Sequence, residues 1–342
     1  ELGMTVVVTD HHEVPFTDTE EGRTYILPPA DAIINPKQAD CTYPNKNICG
    51  AVVAMKLVFA LYEKYRLPEE EKEDFLEPAA IATVGDIMDL QGENRILVKE
   101  GLARLPFTKN KGLKALIRAI GLEDQKITSY DIGFRLGPCI NASGRLDTAM
   151  RSLALLQSED EEEAAKLAGD LKALNDSRKA LTEKGTEKAY KLIESSNLKN
   201  DRVMVVFLPE CHESLAGIIA GRIREKYHKP TFVLTRGEKS LKGSGRSTEN
   251  YSMYEELVKC DSLLVQYGGL SIEEENVEKF RQTLNDNCTL TEEDMIPKIV
   301  IDVPMPISYI NEELVEQLSI LEPFGKGNTK PLFAQKNLRV LK

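Results

Sequence analysis

The chain has 342 residues and a mass of 38.2 kDa, with 42% apolar and 29% charged side chains, the balance of a globular protein with room for two or more packed domains. No run approaches the ~20 apolar residues of a membrane span, and no charged-then-apolar segment opens the chain, so a cytoplasmic protein is expected. Forty-four basic against 55 acidic residues leave a net charge of −11, which argues against a surface that coats nucleic acid non-specifically but leaves room for a narrow cationic groove.

Six cysteines (Cys41, Cys49, Cys139, Cys211, Cys260 and Cys288) stand singly, without a C-x-x-C pair, so neither a disulfide framework nor a thiolate zinc site is expected. The chain starts at Glu1 without a methionine and reaches an apolar strand within a few residues, so it reads as a fragment of a longer protein.

Residues 4–9 (MTVVVT) are β-branched and apolar on both faces, as in a strand buried inside a parallel sheet, and they end on Asp10-His11-His12. After a proline-rich connection (Pro28, Pro29, Pro36), Cys49-Gly50-Ala51 opens an apolar helix over 52–65 that stops before Pro68. A second helical run over 78–84 leads to Gly85-Asp86. The order suggests an α/β layer with polar groups gathered at element ends, where open α/β sheets place their ligands.

Residues 103–156 have helical composition, interrupted at Gly137-Pro138 and again at Asn141-Ala142-Ser143-Gly144-Arg145. Ser158 reads as the N-cap of a helix running towards Glu194, with Ala164, Leu167, Leu171, Leu174 and Leu181 at helical spacing. Such a helix is expected to connect two α/β blocks and pack on both. The second block reads as strand 203–208, helix 214–227, a break at Lys229-Pro230 and strand 231–235, followed by a glycine-containing turn over 243–247 and a helix from about Ser252. Beyond Glu292, short strands and turn residues, including 299–303 and 321–328, suggest the start of a small β domain. The fold class is α/β, with expected domains at 1–157, 197–290 and 291–342 and a connector at 158–196.

Asp10-His11-His12 sets a carboxylate and two imidazoles at a strand tip, where side chains from neighbouring loops converge. Imidazole with carboxylate suits Mn²⁺, Fe²⁺ or Zn²⁺, and the lack of thiolate leans towards Mn²⁺ or Mg²⁺. The plain alternative is a solvated strand end, although half of the four histidines sit here. Asp86 follows a helix and a glycine and is placed to enter the same cleft; Asp89 competes for that role. Asn141 to Arg145 and Gly243 to Ser247, the latter with Ser244 and Arg246, read as turns whose amides and guanidinium groups suit a phosphate, or simply as ordinary turns. His212, just before an apolar helix, reads as a phosphate-binding or capping residue.

These residues resemble the RecJ family of single-strand-specific DNA exonucleases within the DHH phosphoesterase superfamily. Val-Val-Val-Thr-Asp10-His11-His12-Glu13 resembles the superfamily signature, and Ala-Thr-Val-Gly-Asp86 its later metal-binding aspartate motif. Leu-Gly-Pro-Cys-Ile-Asn141-Ala-Ser-Gly-Arg145 is similar to the RecJ Asn-Ala-x-Gly-Arg segment. His212-Glu-Ser-Leu-Ala-Gly and Gly-Ser244-Gly-Arg246-Ser are similar to the DHH-associated (DHHA1-type) substrate domain, and Leu-Glu-Pro-Phe-Gly-Lys-Gly-Asn328 resembles the entry to the family's OB-like domain.

The resemblance implies a DHH-type parallel-sheet domain, a long helix, a DHHA1-type domain and an OB-like start. The implied activity is removal of 5′ nucleotides from single-stranded DNA with two Mn²⁺ or Mg²⁺ ions, in repair and recombination. It implies His11 and Asp86 as metal ligands, Asp10 as a ligand or its orienting neighbour, and His12 as a contact to the scissile phosphate. Arg145, Ser244 and Arg246 would hold the 5′-terminal phosphate, with Asn141 and His212 also binding substrate. Single-strand-binding protein and a helicase are the implied partners, with no membrane.

Two departures follow. The family's Asp-rich metal strands are expected ahead of Glu1, so the chain is expected to be incomplete and weakly active or inactive by itself. The Gly-Gly-His-x-x-Ala-Ala-Gly stretch is missing where Tyr267-Gly268-Gly269 runs into Leu270-Ser271-Ile272. Alternative readings are a DHH phosphodiesterase of short oligonucleotides or cyclic dinucleotides, and a non-catalytic scaffold that binds single strands or proteins.

Overall fold

The computed structural model describes residues 3–19, 22–266 and 270–339. The chain divides into two compact units, the first made of Glu1–Asn141, Arg151–Lys172 and Val300–Lys342, the second of Ala142–Met150 and Ala173–Ile299.

In the first unit, β1 (Val7–Thr9) pairs in parallel with β4 (Ala32–Ile34), Val8 opposite Ile33. Between them the expected proline-rich connection contains an antiparallel hairpin, β2 (Phe16–Thr19) and β3 (Gly22–Tyr25). The expectation of a strand buried on both faces is corrected: Val6 and Val7 are exposed, because among the described residues the β1–β4 pair has no third strand beside it.

Helix α1 (Gly50–Tyr65) buries Val52, Val53 and Met55 with Ile48 and Ala79. Helices α2 (Leu76–Gly85) and α3 (Gly92–Arg104) approach closely because Gly101 has no side chain; a Cβ there would lie 2.3 Å from Ala80 Cβ. Helix α4 (Lys111–Ala119), with its N-cap at Asn110, packs its glycine against Leu155 of α7 (Met150–Gln157) in the same way.

The break expected over 137–145 is not there. A capping box of Thr128 and Asp131 starts α5 (Ser129–Asp131), which widens into a π-turn over Ile132–Leu136 and continues as α6 (Gly137–Leu146). Pro138 follows directly on the π-turn, so Gly137-Pro138 lies within a continuous helical run and Asn141 to Arg145 form its last turns. Helix α8 (Glu161–Glu194) is continuous as expected, but its first turn is capped by Asp160, whose Oδ1 accepts from Glu163 N–H at 2.8 Å, rather than by Ser158. Leu181, assigned to its apolar stripe, is exposed.

The second unit is a mixed five-stranded sheet in the order β5 (Met204–Phe207), β6 (Thr231–Arg236), β7 (Leu241–Arg246), β9 (Ser271–Ile272), β8 (Leu264–Gln266). Strands β5 and β6 are parallel around α9 (Ala216–Tyr227), the expected βαβ unit. Alternation separates two apolar layers. Met204, Val206 and Val233 face α9 and the end of α8 (Ala189, Ile193), while Val205, Phe232 and Leu234 face Phe280 and Leu284 of α11 (Val277–Asn287) and the neighbourhood of α10 (Met253–Lys259).

Gly243 to Arg246 are strand residues, not a turn. Bare backbone is needed there, because a Cβ on Gly243 would lie 2.5 Å from Leu234 and one on Gly245 2.6 Å from Met253.

The C-terminal residues belong to the first unit. Strand β10 (Val303–Pro304) pairs with β11 (Phe333–Ala334), and an Asn311-capped helix, α12 (Glu312–Ser319), lies between them where only strands and turns were expected. The Leu321 to Asn328 segment docks on α3 and the loop before it: Leu90 N–H donates to Lys326 O, and Arg95 of α3 to Ile320 O and Glu322 O. No helix among the described residues is long and apolar enough to cross a membrane.

Candidate active site

Strand β1 delivers Asp10 to the sheet edge, where its N–H continues the ladder to Ile34 O at 3.0 Å. The Asp10 carboxylate then folds back as an Asx turn. Its Oδ1 accepts from His11 N–H (2.7 Å), from His12 N–H (3.2 Å) and contacts His12 Nδ1 (2.7 Å), which holds the carboxyl below the usual aspartate range, chiefly through His12. Asn35 donates to His12 O and fixes the other side of the turn. One ligand atom from each of Asp10, His11 and His12 lies within 4.8 Å of the others.

Asp86 caps α2, its N–H donating to Ala82 O at 2.8 Å. The next residue, Ile87, takes a left-handed φ of 55°, a strained conformation for a β-branched side chain that turns the chain sharply after the carboxylate. His11 Nε2 and Asp86 Oδ2 stand 3.5 Å apart. The His11 ring fits because α1 starts with glycine: a Cβ on Gly50 would lie 3.3 Å from His11 Cδ2. Asp89, the competing candidate, instead pairs with Lys326 at 3.4 Å.

A cavity of about 460 Å³ lies beside this cluster, lined by Gly50, Asp86 and Asn141 among others. Imidazole and carboxylates without a thiolate are a donor set that fits a hard divalent cation; Cys49, the nearest sulfur in the lining, is buried with its Sγ on Thr83 Oγ1 at 3.6 Å.

The other four candidates gather in the second unit, around the start of α9. His212 Nδ1 accepts from Ser214 N–H and contacts Ser214 Oγ at 2.7 Å, so the capping half of its two readings is realised. Arg145 Nη1 donates to Ser214 O at 2.9 Å. Arg246 Nη1 reaches Ser244 Oγ at 3.3 Å and Gly245 O at 2.7 Å. Both head groups are admitted by Gly217, in the first turn of α9, where a Cβ would lie 2.8 Å from Ser244 Oγ and 2.9 Å from Arg246 Nη2. A serine, a guanidinium and a helix N-terminus with its positive dipole end are groups whose chemistry suits an anion.

Residues 301–342 match the RecJ OB domain family. Over 97% of its length this chain is 36% identical to the single-stranded-DNA-specific exonuclease RecJ of Bacillus subtilis (strain 168). RecJ from Thermus thermophilus, solved in complex with Mn²⁺, superposes over 98% of this chain with a TM-score of 0.80 and 32% identity. An exonuclease RecJ bound to manganese matches 83% of this chain and 69% of its own, with a TM-score of 0.66 and 33% identity. The chain belongs to the RecJ family. It spans 41% of the Bacillus protein and 48% of the Thermus chain.

Within the RecJ frame, two glycines quoted in the sequence analysis without a site role border the two clusters. Gly50 and Gly217 each sit in the first turn of a helix, where alanine is the better helix former, and that mismatch is the signal that could have found them. The Tyr267-Gly268-Gly269 stretch, expected to replace the family's Gly-Gly-His segment, lies outside the described residues.

Proposed function

We propose that this RecJ-family protein is a metal-dependent exonuclease that removes nucleotides from the 5′ end of single-stranded DNA. The observation that carries the reading is the approach of His11 to Asp86 at 3.5 Å beside Asp10 and His12, in a family whose solved members bind Mn²⁺ or Mg²⁺. Two divalent ions in such a site supply an activated water and neutralise charge on the phosphate under attack.

In this reading His11 and Asp86 are ligands. Asp10, kept ionised by its hydrogen bonds, orients the ring of His12 through Nδ1 and leaves Nε2 for the scissile phosphate. Asn141 lines the same cavity as Asp86 and contacts substrate. In the second unit Ser244 and Arg246 take the 5′-terminal phosphate, with His212 and Arg145 holding Ser214 and the start of α9 in place. Position in the chain supports the same assignment, with catalytic, substrate-binding and OB-like segments in family order. Repair and recombination in the cytoplasm, beside a single-strand-binding protein and a helicase, complete the reading that the family supports.

The test is release of label from 5′-labelled single-stranded DNA with Mn²⁺, run beside duplex DNA and a dinucleotide. Release from the single strand alone is expected when the family's Asp-rich metal strands accompany these residues, and little or none without them. Cleavage of the dinucleotide only would favour a small-substrate phosphodiesterase, and binding without release a scaffold.

A further inference from the structure

The exit from β4 lies against the Asp10-His11-His12 turn and carries two residues without a role so far, Asn35 and Lys37. The parallel ladder between β1 and β4 ends where Asp10 N–H donates to Ile34 O at 3.0 Å. By the two-residue step of such a ladder the next donor would be residue 36, and Pro36 has no N–H. The Asn35 side chain takes over: its Nδ2 donates to His12 O at 2.9 Å, and its Oδ1 accepts from Lys37 N–H at 2.9 Å. Those two partners fix which way the amide points, since a carbonyl only accepts and an N–H only donates. Asn35 is 6% exposed, and Lys37 Nζ extends the contact to Glu13 Oε1 at 2.7 Å.

His12 needs such a hold. Its side chain is 78% exposed and touches the Asp10 carboxylate and the tilted His11 ring, 4.5 Å away between centroids. Neither contact is a packed wall, so the ring stands where its backbone puts it. That backbone is held at both ends: Asp10 Oδ1 accepts from His12 N–H at 3.2 Å, and Asn35 donates to the His12 carbonyl. His11 is held differently, against the bare Gly50 and by its approach to Asp86. The two imidazoles therefore have separate supports. A reacting group displaced by about 1 Å can lose about a hundredfold in rate.

We propose that Asn35 is a positioning residue for His12: it sets where His12 Nε2 meets the scissile phosphate and leaves metal binding to His11 and Asp86. The inference rests on the exonuclease reading above, in which His12 faces that phosphate, and adds the buried group that aims it. Lys37 has the lesser part. Its ammonium holds a Glu13 side chain that is 84% exposed, and such a pair is weak. The N–H by which Lys37 secures Asn35 belongs to the backbone.

The experiment is nucleotide release in Mn²⁺, read as kcat and KM, by the form that carries the family's Asp-rich metal strands. Asn35→Asp keeps the acceptor for Lys37 N–H and turns an oxygen towards His12 O. It should lower kcat by about 10- to 100-fold, with KM for the strand and Mn²⁺ affinity each within about twofold. Lys37→Met should stay within about threefold. In a His12→Ala background Asn35→Asp should cost less than about twofold, because the group it aims is gone, whereas damage to the fold would carry through. Asn35→Ala, which leaves His12 O to water and adds no charge, stands in if the Asp variant fails to fold, with the same pattern expected. A full loss in the His12→Ala background, a loss shared by metal affinity, or an unchanged kcat would each overturn the proposal. Histidine-labelled NMR of the metal-free protein reads the clamp without activity. Four histidines allow each ring to be assigned by substitution, and Asn35→Asp should shift or broaden the His12 signals while those of His11 stay. If that change appears but the unaltered protein releases nothing, the aiming of the ring stands and the exonuclease reading falls. Unmoved His12 signals overturn the proposal whichever way the release goes.

Discussion

His11 Nε2 and Asp86 Oδ2 meet at 3.5 Å although one comes from the tip of β1 and the other from the end of α2. A pair at this spacing contributes little stability, since Asp86 is nearly half exposed. In the proposed reading, the approach provides a preset edge of a coordination shell.

Asp86→Ala should therefore leave the fold nearly as stable in metal-free buffer and weaken Mn²⁺ binding by at least about 10- to 100-fold, the loss typical of perturbing a site's supporting shell. Calorimetric titration measures it directly. Thermal unfolding gives the independent check, because Mn²⁺ at about a hundred times its dissociation constant adds ~2.7 kcal/mol to the unaltered protein, and that gain should fall to ~0.4–1.4 kcal/mol in the variant. Equal metal affinity in the two proteins would sink the ligand assignment.

Gly217→Ala separates a pocket effect from a folding effect. Alanine is the better helix former by up to ~1 kcal/mol, so the melting temperature should hold or rise. Its Cβ, however, would occupy space 2.8 Å from Ser244 Oγ and 2.9 Å from Arg246 Nη2, and the guanidinium, at the end of a long side chain, yields first. A displaced charged hydrogen bond is worth ~1.5–3 kcal/mol, so preference for a 5′-phosphorylated over a 5′-hydroxyl strand should fall by roughly tenfold or more. Competition between the two kinds of end reads this out, and unchanged discrimination would show that the pocket serves another group.

Much of this was legible in the residues, and the failures share a cause. The βαβ unit, the long helix and the polar strand tip follow from hydrophobic period and from where polar residues interrupt it. Glycine misled. In Asn141 to Arg145 and Gly243 to Arg246 it signals a turn to local reasoning, yet in the structure the first segment is helical and the second is a strand whose glycines accept neighbours too close for any Cβ. Such close approach is set by tertiary packing, which a local window does not contain. Asn311-Glu312-Glu313 shows the reverse case, since its capping signal for α12 was in the sequence and was masked by the surrounding turn residues. The convergence of His11 and Asp86 was expected from polar residues at element ends and again from the family resemblance, although no spacing rule connects a strand tip to a distant helix end.

Gly112→Ala tests the packing argument away from both clusters. A Cβ there would lie 1.9 Å from Leu155 O, a backbone atom that cannot rotate aside. Overpacking of this kind costs about 1–3 kcal/mol. Denaturant titration should show a lower midpoint with little change in slope. Gly169→Ala on α8 is the control, since nothing lies within 4 Å of its Cβ position, and it should be neutral or stabilising by up to ~1 kcal/mol. Equal effects at the two glycines would contradict the close approach of α4 and α7.

Glu77, in the first turn of α2, carries a pH-dependent cost. Burial raises its carboxyl above the usual value of 4.5; the hydrogen bond from Thr108 opposes this only in part, and nearby Asp74 adds to the rise. A raised folded-state value means that the folded protein holds the proton more tightly than the unfolded chain. The stabilising contribution is complete below 4.5 and is lost as pH rises through the folded value, above which a carboxylate is kept buried. Glu77→Gln removes the titration and keeps an acceptor for Thr108. The variant should match the unaltered protein at the acidic end and become the more stable of the two towards neutral pH, so the difference between their denaturation midpoints should grow with pH. A difference that stays flat, or grows towards acid, would show that Thr108 outweighs burial and that the carboxylate is the favoured form.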